Sequence, residues 1–331
     1  SVAMFVYTNS TLVGTAYQLG VWASVQQRGG EFGAGVLAVA PPSVDAQHLM
    51  FPHVTVGKYG RFWIVAEARA TSQTAGRPNS IVACWIKATP VLGGAGVPGQ
   101  LCSPLVILHT IVSELNKPTP TMTNPKIGWL GASTIMVIWQ TSEDIADTGT
   151  DTDIVFSVSH QNGAAKSWSS PAPVSTNAKQ DQGEDINAQM AVVSRTDLGN
   201  TTLRSMVVVV WESTDSLQDM IGTDSDILFA VTVDMGVKFV GPLPANANAV
   251  LDSTPDTNPS ISCLGEACML AWATTNPLGG RMGSNGDWDI VTSYITLVPG
   301  ATWSNPEPMS TNAAVDLFED EYPFVHSDGE G

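Results

Sequence analysis

Three stretches of this chain say nearly the same thing, and that constrains its fold more than any single residue does. Trp139 to Met190, Trp211 to Ile261 and Trp272 to Val325 each begin at a tryptophan that ends an apolar run. Each then passes through Asp-x-Asp-Ile: Asp151/Asp153, Asp224/Asp226 and Asp287/Asp289. Self-similarity at a long period marks a repeat architecture, in which each unit buries its apolar face against the next.

A second signal extends the repeat towards the N-terminus. A residue followed by proline opens an alternating segment at Phe51-Pro52, Asn124-Pro125, Asn258-Pro259 and Tyr322-Pro323, with Asn187-Ala188 as a degenerate copy. Proline is tolerated at such strand starts. These anchors divide the chain into repeats 52–124, 125–187, 188–258 and 259–322, with a closing unit made of 323–331 plus 1–51.

Within each unit the apolar and β-branched runs fall in one order. Strand A follows the anchor. Strand B covers Ala3–Tyr7, Phe62–Ala66, Ile135–Trp139, Val207–Trp211 and Met269–Trp272. Strand C covers Val21–Ser24, Ile81–Trp85, Ile154–Val158, Ile227–Val231 and Ile290–Ser293. A shorter D lies at Ala172–Ser175, Leu243–Ala245 and Glu307–Ser310. Four short antiparallel strands per unit make a propeller blade. The expected fold is all-β, a single propeller of five four-stranded blades spanning 1–331. Tyr322–Val325 is expected to close the ring against Ala3–Tyr7, covering both edges.

The turn after strand C carries a motif. Thr232-Val-Asp234-Met-Gly236-Val-Lys-Phe239 follows Ser/Thr-x-Asp-x-Gly-x-x-aromatic. Thr296-Leu-Val-Pro-Gly300-Ala-Thr-Trp303 is a copy without the aspartate, and Ser159-His-Gln-Asn-Gly163 with Trp168 is a longer one. In these turns the chain resembles the sialidase-like (Asp-box, BNR) propeller superfamily. The resemblance implies that Thr232, Asp234, Gly236, Phe239, Gly300 and Trp303 serve the fold. Sialidases of that superfamily use an arginine triad, an aspartic acid/base and a Tyr–Glu pair, and no positions of this sequence match them.

A net charge of −17 excludes the basic surface that nucleic acid or an anionic membrane requires. Most of the 31 acidic residues fall in the B–C and D–A loops, on the face that carries ligands in propellers. Two carboxylates spaced i, i+2 suit a hard cation with oxygen ligands. The expected sites, with Ca²⁺ as the ion, are Asp151, Asp153 and Asp185; Asp224, Asp226 and Asp256; and Asp287, Asp289 and Asp320. The same aspartates also suit turn capping. Arg69, Arg77 and Arg281 fall on this face and suit an anionic sugar.

Cys84 and Cys102 flank a Gly/Pro-rich insertion, Leu92–Gly99, and Cys263 and Cys268 flank a hairpin turn. Two local pairs point to disulfides and an oxidising compartment. Sequons at Asn9 and Asn200 agree with an extracellular or cell-surface glycoprotein. No apolar run is long enough to span a membrane. The first residues lack a basic segment and cleavage site, as expected after leader removal or within a longer chain. The functional expectation is a non-catalytic structural or adhesive module, calcium-stabilised, binding glycan or protein partners, including copies of itself. The alternative is a glycoside hydrolase of the sialidase type, since paired carboxylates also serve glycoside hydrolysis.

Overall fold

Runs such as Met206–Trp211 are buried on both faces, which is why they read as continuous apolar segments. Asp289–Thr296 alternates buried and partly exposed positions along one strand. The computed structural model describes the chain except residues 1, 14–15, 28–35, 40–46, 58–60, 71–77, 88–101, 103–104, 113–119, 196–203, 233, 251–252, 283–285, 316–317 and 328–331. Arg77, Asn200 and the Leu92–Gly99 insertion lie outside the described residues.

Five antiparallel sheets follow in chain order. The first holds β1 (Val2–Val13), β2 (Ala16–Gln27) and β3 (Val36–Val39). The second holds β4 (Gln47–Val56), β5 (Arg61–Ala70), β6 (Pro78–Lys87) and β7 (Val106–Val112). The third holds β8 (Met122–Gly131), β9 (Thr134–Thr141), β10 (Asp153–Ser159) and β11 (Ala172–Pro173). The fourth holds β12 (Asp185–Arg195), β13 (Arg204–Ser213), β14 (Asp226–Thr232) and β15 (Val240–Pro244). The fifth holds β16 (Asp256–Leu264), β17 (Ala267–Thr274), β18 (Asp289–Thr296) and β19 (Glu307–Pro308). Each sheet is a meander of sequential strands. The architecture is all-β, with no helix among the described residues, and is consistent with a five-bladed propeller.

The chain divides into two compact units, residues Ser1–Thr141 with Phe156–Pro171, and Ser142–Val155 with Ala172–Gly331. The core of the first includes Val21, Leu49, Phe62, Ile64, Val82 and Ile86, from the first two sheets. The core of the second includes Val208, Val210 and Ile227 of the fourth sheet, and Leu270, Trp272 and Val291 of the fifth. Trp139, Trp211 and Trp272, which share one strand position across the repeats, are all buried. The disulfides are Cys84–Cys102 and Cys263–Cys268. The second joins directly opposed residues of the β16–β17 hairpin. Both are compatible with an extracellular protein.

The closing strand is not found. Tyr322–Val325 forms no strand among the described residues, and β1 pairs only with β2. Instead the Val325 and Ser327 amides donate to the Ser260 and Ser262 hydroxyls, at 3.0 and 2.9 Å. Side-chain oxygens on β16 satisfy backbone donors that a ladder would otherwise have taken.

The anchors have a shared geometry that alternation alone does not show. Phe51, Asn124, Asn187 and Asn258 all adopt positive φ, between 48° and 55°. Each sits at a register shift, at Met50/His53, Thr123/Lys126, Ile186/Gln189 and Thr257/Ser260. These are β-bulges, which re-aim the side chains that follow. Three of the four residues are asparagine, the type that tolerates this backbone best after glycine.

The Thr232–Phe239 turn is held by its own polar atoms. Asp234 accepts hydrogen bonds from the Thr232 hydroxyl at 2.6 Å and from the Val237 and Lys238 amides at 2.9 and 3.0 Å. Slight burial opposes the charge of Asp234, but these bonds outweigh it and hold the carboxyl below its usual range. Gly236 supplies φ +88°. Phe239 and Trp303 are buried, and Trp303 meets Phe229 edge-on at 5.8 Å between ring centres. In the corresponding turn of the third sheet, Gly163 has φ +64°, and a Cβ there would stand 2.5 Å from the Trp63 ring. Asp234→Ala is expected to cost about 1 kcal/mol, because the turn is largely exposed and water replaces part of what is lost. Urea unfolding monitored by tryptophan fluorescence measures it, and an unchanged midpoint contradicts the assignment.

Candidate functional site

Strands β4, β5 and β8 of the first unit carry four ionisable side chains in two pairs, Glu67 with Arg69 and His53 with Lys126. Glu67 interrupts the apolar run of β5, opposite Met50 at the β4 bulge. It is 1 % exposed and pairs with the Arg69 guanidinium at 2.6 Å. Burial is the largest influence on it and raises its pKa against the pull of Arg69 and the Thr123 hydroxyl. Its Oε2 has no hydrogen-bond partner.

The bulges bring Lys126 of β8 and His53 of β4 near the same place. Burial lowers the Lys126 pKa to about 8, and its ammonium donates to Asn124 Oδ1 at 2.6 Å. His53 falls to about 3, first through burial and then through the charge of Lys126. Its Nδ1 accepts the Ile127 amide at 3.2 Å, which leaves the ring proton on Nε2. Perturbed acids and bases of this kind cluster at functional sites. Sequence reasoning missed all three residues. The usable signals were a carboxylate inside an apolar strand, and charged residues directly after two anchors.

The acidic loops lie in the second unit. In three sheets the amide of the D–A aspartate donates to the carbonyl between the two Asp-x-Asp carboxylates. These bonds are Asp185 to Thr152, Asp256 to Ser225 and Asp320 to Trp288, each 2.7 Å. The expected residues are therefore adjacent, but backbone joins them. Asp153, Asp226, Asp289, Asp185 and Asp256 are buried, whereas Asp320 is exposed.

The three loops differ in detail. Asn246 Nδ2 bridges Asp226 and Asp256, at 2.9 and 2.6 Å, so an amide links these two carboxylates. Asp185 is enclosed, its pKa raised chiefly by burial and opposed by the Ser213 hydroxyl. The residue that converges on Asp151 and Asp153 is Asp181, and each of the three offers an oxygen within 4.8 Å of the others. Asp153 and Asp181 are both pushed to about 7, first by burial and then by neighbouring carboxylates.

Asn246 also escaped sequence reasoning, although its neighbourhood repeats. Val174-Ser-Thr-Asn177-Ala, Ala245-Asn-Ala-Asn248-Ala and Met309-Ser-Thr-Asn312-Ala occupy the same place after strand D. In the first of these, Asn177 Nδ2 donates to Asp215 at 2.5 Å, and Ser175 bonds Asn177.

Of the three expected arginines, the two among the described residues are each held by a carboxylate. Arg69 is held by Glu67. Arg281 lies in a cleft of about 390 Å³ with Asn248, Asn276, Leu278, Asn305 and Pro306. It is bound to Glu307 at 2.5 Å and to the Pro306 and Leu278 carbonyls.

The sequence matches no protein-family model and no curated protein sequence. Its fold is similar to solved carbohydrate-cleaving enzymes. A polysaccharide lyase of family PL25, an ulvan lyase, is 10 % identical, with a TM-score of 0.46, over 96 % of this chain and 70 % of that one. An α-L-arabinofuranosidase from Lactobacillus brevis is 10 % identical, with a TM-score of 0.40, over 79 % and 74 %. The GH93 α-L-arabinofuranosidase of Fusarium graminearum, solved with arabinobiose, is 10 % identical, with a TM-score of 0.42, over 80 % and 68 %. The expectation of a non-catalytic structural or adhesive module is corrected at this point, since the structures the chain resembles are glycoside hydrolases and a polysaccharide lyase. A likeness at this identity speaks for the fold, and the chemistry has to come from the chain's own residues.

Proposed function

We propose that this chain is a carbohydrate-active enzyme that cleaves glycosidic linkages by acid–base catalysis. The observation that carries this is that β4, β5 and β8 of the first unit hold His53, Glu67 and Lys126, three ionisable side chains whose pKa values burial shifts. Cleaving a glycosidic bond requires a proton for the leaving oxygen and a base to activate water or to take a ring proton. Glu67, raised by burial, is the proton donor. Lys126, lowered to about 8, is a base available near neutral pH. Neutral His53 carries its proton on Nε2, and half-exposed Arg69 pairs with Glu67. A proton-donating acid beside a base of another type separates the two roles that one catalytic cycle needs. The acidic loops are a weaker catalytic candidate, because the same Asp-x-Asp recurs in three sheets whereas a reaction centre breaks repeat symmetry.

The test is turnover of arabinofuranoside, sialoside and other aryl glycosides, together with neutral and uronate polysaccharides. Reducing ends and unsaturated products are both followed. Glu67→Gln keeps the shape and removes the proton, so it is expected to lower kcat about a hundredfold or more. Wild-type activity is expected to fall below about pH 8 as Lys126 protonates. Undiminished turnover in Glu67→Gln, or inert wild-type protein across the panel, defeats the proposal.

A further inference from the structure

We infer that Asp151, Asp153 and Asp181 form a binding site for a divalent cation, with calcium as the ion. The argument begins with distance. Two oxygens that each lie about 2.4 Å from one calcium ion are at most ~4.8 Å apart. The three carboxylates each offer an oxygen within 4.8 Å of the other two. The three therefore meet the spacing that sharing one ion requires.

The second observation is independent of the clustering. Asp153 is 1 % exposed, and neither of its carboxyl oxygens has a hydrogen-bond partner. A buried carboxylate without a partner loses its hydration and gets nothing back. The Thr148 hydroxyl, which lies close, favours the charge but does not offset burial. Asp151 Oδ2 and Asp181 Oδ1 are also buried and unpartnered. Among the described residues no ammonium or guanidinium is paired with the cluster, and Lys179 pairs instead with Asp147 at 3.1 Å. Glu184 and Asp215 add further negative charge around the cluster.

All of the ligands are hard oxygens, which select calcium or magnesium over softer metals. Calcium accepts irregular loop geometry, while magnesium demands a tighter octahedron. Asp181, and not Asp185, is the third ligand, because the Asp185 carboxyl lies by Ser213 and its amide is used by Thr152. The ion joins the β9–β10 connection of the third sheet to the segment between β11 and β12, which leads into the fourth sheet. The pair recurs in the other loops, where Asp224 Oδ2 and Asp287 Oδ2 are likewise buried and unpartnered. Asp252 and Asp316, which hold the position of Asp181 in those repeats, lie outside the described residues.

The experiment is calcium titration calorimetry on the full chain stripped with EDTA, beside thermal melts in EDTA, calcium and magnesium. Wild-type protein is expected to bind calcium and to gain a few degrees in Tm. Asp153→Asn is expected to lose at least one bound ion, or to weaken binding at least tenfold. Asp147→Asn, in the same loop but outside the cluster, is expected to bind as wild type. Asp181→Asn, at the more accessible edge, repeats the measurement if Asp153→Asn does not fold. Absence of calcium binding, or unaltered binding in both Asp153→Asn and Asp181→Asn, overturns the site. An equal response to magnesium overturns the choice of ion.

Discussion

Trp272→Ala is expected to destabilise the protein by about 3–5 kcal/mol, the usual range for deleting a buried aromatic side chain. Trp272 is 1 % exposed and belongs to the core of the second unit. Its ring packs with the cluster that includes Val208 and Val210 of β13, Ile227 of β14, and Leu270 and Val291 of its own sheet. Sheets that face each other through side chains alone have no ladder between them, so packing carries their association. The residues around the void are themselves held in ladders and cannot collapse into it, which keeps the cost high. Trp272→Phe refills part of the space and is expected to cost roughly half as much. Urea unfolding of both variants decides the matter. A loss below about 1 kcal/mol for the alanine variant contradicts the packing described.

The second large effect is a dependence of stability on pH that runs through His53. Its folded pKa is lowered from 6.5 to about 3 by burial and by the charge of Lys126. Between those values the unfolded chain binds a proton that the folded chain refuses. Stability therefore rises with pH from about 3 to 6.5, and the His53 contribution is complete above 6.5. Lys126, lowered from 10.5 to about 8, has the same sign in a higher window and adds stability as pH rises from 8 to 10.5. Glu67 has the opposite sign. Its raised pKa favours the folded state below 4.5, and that share is lost as pH climbs through the folded value. His53→Gln keeps an acceptor for the Ile127 amide and removes the titration. The stability difference between pH 4 and pH 7 is expected to shrink in this variant by on the order of 3 kcal/mol relative to wild type. Denaturant midpoints at the two pH values measure it, and parallel pH slopes in the two proteins reject the assignment.

Much of the fold was legible because strand pairing in a meander is local. An apolar run such as Val207–Trp211 has few options except to be a central strand, and its neighbours in sequence become its neighbours in space. The same locality exposed the disulfides, since Cys263 and Cys268 flank a two-residue turn and must oppose each other. It also exposed the buried tryptophans, because one strand position shares one environment across repeats. The ring closure through Tyr322–Val325 was not local. It required chain ends far apart in sequence to meet, and the segment instead lies along hydroxyls of β16.

The sites were legible only in part. Asp-x-Asp-Ile named Asp151 and Asp153, but the carboxylate that comes within 4.8 Å of both is Asp181, while the Asp185 carboxyl lies by the Ser213 hydroxyl. Asn246, which joins Asp226 to Asp256, sat in a repeated Asn-Ala segment whose polar role only contact reveals.

By itself, then, the sequence determined an all-β repeat, the order of its strands, which residues fill its core and which cysteines pair. These depend on side-chain period and on short separations along the chain. Only the tertiary structure decided that Lys126 and His53 influence each other, that Glu67 is buried beside Arg69, and that three particular aspartates converge. These outcomes depend on where bulges re-aim a strand and how a loop returns to it. A left-handed residue or a single backbone hydrogen bond sets those directions, and neither alters the apolar pattern by which the strands were read.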